Sequence, residues 1–169
     1  MTPYDSITNP PNYDAIEAER LEQRCKSGAY WFYWIAALSF ITSLVSLSGS
    51  QWGFIVSLGV TQFVDALARA FSEQAGTAVT VIALLFDATA AAAFALIGYF
   101  ASKKLEWVFV LGMVLYGLDG LIFLIAGDWL GIAFHAFALY GIFSGYRACT
   151  RLNAMQREQA PPPVAPSAV

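Results

Sequence analysis

Long apolar stretches separated by short polar turns set the pattern of this chain, and from Ser27 to Val64 no charged side chain occurs at all. A helix needs about 20 apolar residues to cross the hydrocarbon core of a bilayer, more than a buried helix of a water-soluble domain requires. Four segments meet that need and are predicted to span, at 29–47, 77–100, 107–126 and 129–146. The first opens on Tyr30-Trp31-Phe32-Tyr33-Trp34, an aromatic belt of the kind that sits at a membrane–water interface. Trp52, Trp107 and Trp129 fall at further interface positions, and Gly127-Asp128 predicts a tight turn between the third and fourth spans.

Residues 53–71 depart from this pattern. Ser57, Thr61, Asp65, Arg69 and Glu73 recur at every fourth position, which draws one polar stripe along a helix, while Phe54, Ile55, Leu58, Phe63, Leu67 and Phe71 occupy the rest. Such a helix lies in the interface or packs on a bundle instead of crossing. The predicted fold is therefore all-α: an integral membrane four-helix bundle, with an additional amphipathic or re-entrant helix on the outer side.

The flanks complete the organisation. Residues 1–28 form an N-terminal segment, irregular at first and then helical from Tyr13. There Asp14, Glu17 and Glu19 precede Arg20, Arg24 and Lys26, the order the helix dipole favours. Residues 29–148 make the membrane domain, and 149–169 a tail containing Pro161-Pro162-Pro163. Pro10-Pro11-Asn12-Tyr13 matches a short ligand pattern of WW domains, but nothing around it supports that use. GSQWGFIVSLG and GDWLGIAFHAF both set Gly and Trp before an apolar helix. The match is too short for a repeat and follows from the ordinary placement of these residues at turns and interfaces.

Charge selects the number of crossings. Of the nine basic residues, four spans place Arg20, Arg24, Lys26, Lys103, Lys104, Arg147, Arg151 and Arg157 on one side and leave only Arg69 on the other. A fifth crossing through 53–71 would move Lys103, Lys104 and the three C-terminal arginines to the other side. The positive-inside rule favours four spans with both termini in the cytoplasm. The chain resembles the small four-span proteins of bacterial cytoplasmic (inner) membranes, and that localisation is expected here.

Composition agrees: 58% of residues are hydrophobic and 12% charged, unlike a soluble domain. The net charge of −3 excludes a nucleic-acid partner. Cys25 and Cys149 both lie beside the basic flanks, hence in a reducing compartment, and no disulfide is expected between them. Two cysteines without clustered histidines make no zinc site, and neither a metal nor a cofactor is expected.

Candidate chemistry is confined to ionisable residues inside the bilayer. A central Asp costs roughly 2.5–3.5 kcal/mol to insert, so such groups are paired or functional. Asp87 lies near the midplane, roughly 15 Å below Thr77 at 1.5 Å per residue. Asp119 and His135 are each eight residues from Gly127 on adjacent antiparallel spans, which sets them level and within reach of one another. Asp65 on the amphipathic segment is a fourth candidate. These groups either hold helices together or move protons or cations. Tyr116 and Tyr140 could donate to the acids. Small residues after Asp87, and the pairs Gly127/Gly131 and Gly141/Gly145, suit close helix approach, within the chain or against a second copy or another membrane protein.

The chain contains no G-x-S-x-G, H-E-x-x-H, P-loop or G-x-G-x-x-G. The expected role is non-enzymatic, that of an accessory or interaction component in the lipid bilayer. The alternative is a small proton- or cation-coupled transporter or conduit using Asp87, Asp119 and His135.

Overall fold

The computed structural model describes residues 12–47, 58–75 and 77–159, and among them there are five helices and no strand. They are α1 (Tyr13–Leu47), α2 (Gly59–Ala75), α3 (Thr77–Ser102), α4 (Glu106–Ala126) and α5 (Trp129–Gln159). α1, α3, α4 and α5 are long and apolar enough to cross a membrane, and α2 is not among them. The chain is an all-α, multi-pass membrane bundle. The Ser48–Gln51 turn, Trp52, Ser57, Pro10-Pro11 and the proline-rich tail lie outside the described residues.

Local chemistry sets the helix ends. Asn12 Oδ1 accepts from the Ala15 amide at 3.2 Å and opens α1. Nothing interrupts the helix between Glu22 and Phe32, so the juxtamembrane helix and the first span are one continuous element of 35 residues. Between α3 and α4, Lys104 adopts a left-handed backbone (φ 65°). Its carbonyl accepts from Asn153 Nδ2 at 3.1 Å, and its ammonium lies 3.1 Å from Glu22. Lys26, and after it Lys104, hold the Glu22 carboxyl below its ordinary range. At the other end of α4, Gly127 (φ 72°) closes a Schellman turn through Gly127 N–H to Leu124 O and Asp128 N–H to Phe123 O. Asp128 then opens α5, its Oδ1 accepting from the amides of Leu130 and Gly131 at 3.1 Å each. α5 continues to Gln159, well past the predicted end of the fourth span at 146.

The four long helices form a ring in which α1 packs on α3 and α5, and α4 packs on α5 and on α3; α2 covers α3 beside α4 and α1. Phe32, Phe109, Tyr116 and Ile142 fill the centre, each essentially inaccessible. Trp34, Ile82, Leu118, Ile125 and Trp129 point outward, where a bilayer accepts them. The starts and ends of the helices bring α1's N-terminal half, the α3–α4 turn and the end of α5 together, and with them eight of the nine basic residues of the chain. Arg69, the ninth, sits on α2.

α1 and α5 meet backbone to backbone. A Cβ added to Gly28 would fall within the backbone of Gly145, and the reverse holds for Gly145. One turn from each glycine stand Cys25 and Cys149, with Cα atoms 4.9 Å apart, and their sulfurs are bonded. This corrects the expectation of two free thiols. That expectation came from the compartment alone, whereas the glycine crossing brings the two Cα atoms within the 4.4–6.8 Å that a disulfide requires. Gly141 receives the indole of Trp31, and Gly131 the ring of Phe123. These glycines thus serve packing inside the chain.

Candidate functional site

α2 begins inside the bundle. Leu58, Gly59 and Thr61 are all buried. The first amides of a helix have no partner within it, and in an apolar surround each must find one elsewhere. Two neighbours supply acceptors for three amides here. Ser39 Oγ on α1 accepts from Leu58 N–H at 3.0 Å. Asp119 on α4 accepts from Gly59 N–H at 2.7 Å through Oδ2 and from Val60 N–H at 2.9 Å through Oδ1. Thr61 Oγ1 donates back to the Leu58 carbonyl at 2.8 Å. Asp119 therefore acts as the cap of a helix that belongs to another part of the chain, with its negative charge at the positive end of the helix dipole.

His135 on α5 completes the arrangement. Its Nε2 lies 3.0 Å from Asp119 Oδ2, and both side chains are about 95% buried. Its Nδ1 lies 2.9 Å from the Gly131 carbonyl. A carbonyl only accepts, so Nδ1 carries a hydrogen. The contact between Nε2 and Asp119 then needs one more, whether it resides on the ring or on the carboxyl. In both forms the pair is neutral as a unit, as a low-dielectric bilayer demands. The imidazole stacks on Tyr116, ring centroids 4.3 Å apart and planes at 15°, and leans on Phe123 at 4.7 Å. Gly120 leaves room for it, since a Cβ there would meet the ring at 3.2 Å.

A second polar contact lies between α1 and α3. Ser43 Oγ is 2.7 Å from Asp87 Oδ2 and 3.2 Å from the Ser39 carbonyl. The hydroxyl has one hydrogen, so both contacts are met together when Asp87 supplies the other. The geometry thus accommodates the protonated acid. Asp87 and Asp119 are joined through the backbone of α2: Ser43 touches Ser39, and Ser39 and Asp119 hold consecutive amides.

Of the residues singled out in the sequence, Asp119 and His135 meet, and Asp87 is placed one helix away. Asp65 lies within α2, but its side chain is outside the described residues, as are those of Arg69 and Glu73. Thr61 overturns part of the expected stripe: it faces the bundle at 1% exposure, while Phe63 and Leu67 face outward at 60% and 48%. The reason is the buried start of α2, where a hydroxyl is needed to serve the backbone and outward positions meet lipid. Tyr116 is buried and its hydroxyl has no hydrogen-bond partner among the described residues. Tyr140 points outward. Sequence reasoning missed Ser39, Ser43 and the amides of Gly59 and Val60. The signal was present in the polar spacing Ser39-x-x-Thr42-Ser43 of an otherwise apolar span.

Among the described residues no group of three or more His, Cys, Asp or Glu could hold a metal ion. The surface cavities described below are lined by other residues than Asp87, Asp119 and His135. Comparison with models of protein families, with curated proteins and with solved structures finds no match to this chain.

Proposed function

We propose that the protein is a non-enzymatic accessory or interaction component of a bacterial cytoplasmic membrane, with both termini inside. The observation that carries this reading is that Asp87, Asp119 and His135 are each engaged by groups of neighbouring elements. Asp119 meets three partners, two of them amides of a helix start that would otherwise be stranded in an apolar surround. The acids thus have a use in holding α2, and their insertion cost is offset without any transported ion. With Gly28, Gly131, Gly141 and Gly145 consumed internally, Thr89, Ala92 and Ala93 stand together as small residues on an outward face of α3, and Gly117 on α4 meets open space. Thr89 keeps its hydroxyl on the Leu85 carbonyl at 2.7 Å, so the face is apolar in effect. A partner helix fits there, because small residues allow close backbone approach in lipid.

Two experiments test this. In proteoliposomes with a trapped pH-sensitive dye, the wild-type protein should leave an imposed pH gradient decaying as in empty vesicles. Faster decay that Asp87→Asn or Asp119→Asn abolishes would instead establish a proton-coupled conduit. In parallel, a membrane partner recovered at fixed stoichiometry from native membranes should be lost on Ala92→Leu with Ala93→Leu.

The orientation rests on the basic residues gathered at one end. A reporter active only in the cytoplasm, fused behind Gln159, should be active; silence there would invert the bundle. Cys25 and Cys149 are 1% and 0% exposed, so their bond is shielded from thiol exchange, which needs access to sulfur, even on a reducing side.

A further inference from the structure

At the end of the bundle that carries the basic residues, α1 and α5 enclose a cavity of about 220 Å³ lined by Arg24, Arg147, Arg151, Ser144, Tyr140 and Phe143, among others. A second cavity adjoins it, sharing Arg24 and Arg151 and adding Arg20. Arg20 and Arg24 are one turn apart on α1, and Arg147 and Arg151 one turn apart on α5. Four guanidinium groups therefore converge where two helices meet. Like charges at this spacing repel. None of the four has a carboxylate within ion-pair distance among the described residues. Glu22 is taken by Lys26 and Lys104. Glu17 is the one carboxylate among the residues on the wall of the second cavity, and it makes no ion pair among the described residues.

The lining is graded along the membrane normal. Tyr140 and Phe143, 72% and 47% exposed, belong to the lipid-facing surface. Ser144 and Arg147 follow one turn on, and Arg151 one turn further. Arg147 lies over the Phe143 ring, 6.0 Å from its centroid, so the guanidinium is held at the boundary between apolar and polar lining. An acyl chain along Tyr140 and Phe143 would deliver a phosphate to Arg24, Arg147 and Arg151. Guanidinium groups bind phosphate oxygens with paired, charge-assisted hydrogen bonds, and basic pockets between spans are suited to anionic headgroups.

We propose that this cleft between α1 and α5 is a binding site for the headgroup phosphate of an anionic phospholipid. The occupant is a lipid and not a free anion, because the apolar lip opens directly onto the acyl-chain surface.

The test uses full-length protein in mild detergent, with retention of added lipid read by native mass spectrometry and stability by thermal unfolding. Phosphatidylglycerol should be retained and should raise Tm, whereas phosphatidylcholine and millimolar inorganic phosphate should do neither. Arg147→Gln with Arg151→Gln should lower phosphatidylglycerol retention about tenfold or more, as loss of two phosphate contacts implies. Both arginines are exposed, so the variant should stay folded, which its Tm without lipid checks. Lys103→Gln with Arg157→Gln removes two charges at the same end but outside the cleft and should leave retention unchanged. Equal loss in both variants would reduce the effect to diffuse surface charge and overturn the site. Stabilisation by inorganic phosphate alone would replace the lipid with a soluble anion, and equal retention of zwitterionic phosphatidylcholine would remove the preference for an anionic headgroup and overturn the proposal.

Discussion

Asp119→Ala should unfold the bundle at a far lower temperature than the wild type, or prevent its isolation as a monodisperse protein. Interhelical hydrogen bonds in membranes average only about 0.6 kcal/mol, so an ordinary polar contact would not have this effect. Asp119 differs because three groups depend on it. Its removal leaves the Gly59 and Val60 amides without acceptors at the buried start of α2 and leaves His135 Nε2 without its partner. A buried group stripped of its partner costs about 1–3 kcal/mol, and breaking a buried charged pair about 3–5 kcal/mol. That is a large part of the roughly 5–15 kcal/mol that holds a typical domain. Asp119→Asn keeps one acceptor oxygen and should fall between the two. Combined with His135→Asn, it should cost less than the sum of the single changes, since both remove the same contact. Thermal unfolding in detergent checks this, and an Asp119→Ala protein within about 1 kcal/mol of wild type, the scale of one neutral hydrogen bond, would dispose of the capping role.

Gly145→Val should be as damaging at the opposite end. The added carbon atoms would enter the backbone of Gly28, and backbone cannot rotate aside as a side chain can. Overpacking within a core costs about 1–3 kcal/mol where side chains yield, and more where they cannot. Parting α1 from α5 also parts Cys25 from Cys149. That removes a crosslink spanning 124 positions, for which chain entropy alone gives roughly 4–5 kcal/mol. The readout is direct. Wild-type protein denatured without reductant should take up no maleimide, and the variant should take up two. A variant that keeps both its bond and its melting temperature would mean that the helices do not need the glycine crossing.

The spans were legible because hydrophobic length is a local property of sequence. So was the meeting of Asp119 with His135, since equal distance from Gly127 fixes equal depth on two antiparallel helices. What the sequence concealed depends on contacts between distant segments. The stripe Thr61, Asp65, Arg69 reads as water-facing by period alone. Only the burial of Leu58 and Gly59 against α4 turns Thr61 inward. Ser39 and Ser43 have partners 19 and 44 positions away, which no local pattern reveals. The cysteines were misread for a related reason. Compartment was weighed before proximity, and proximity here comes from two glycines 117 positions apart, Gly28 and Gly145.

That crossing also constrains how the protein is made. The face of α1 that carries Cys25 and Gly28 is completed by α5, which follows the other described helices in the chain. Until α5 arrives, the Gly28 face of α1 is turned to lipid or to the insertion machinery. The bond between α1 and α5 therefore closes only after α5 has entered beside α1, and it marks a chain in which these two helices have met.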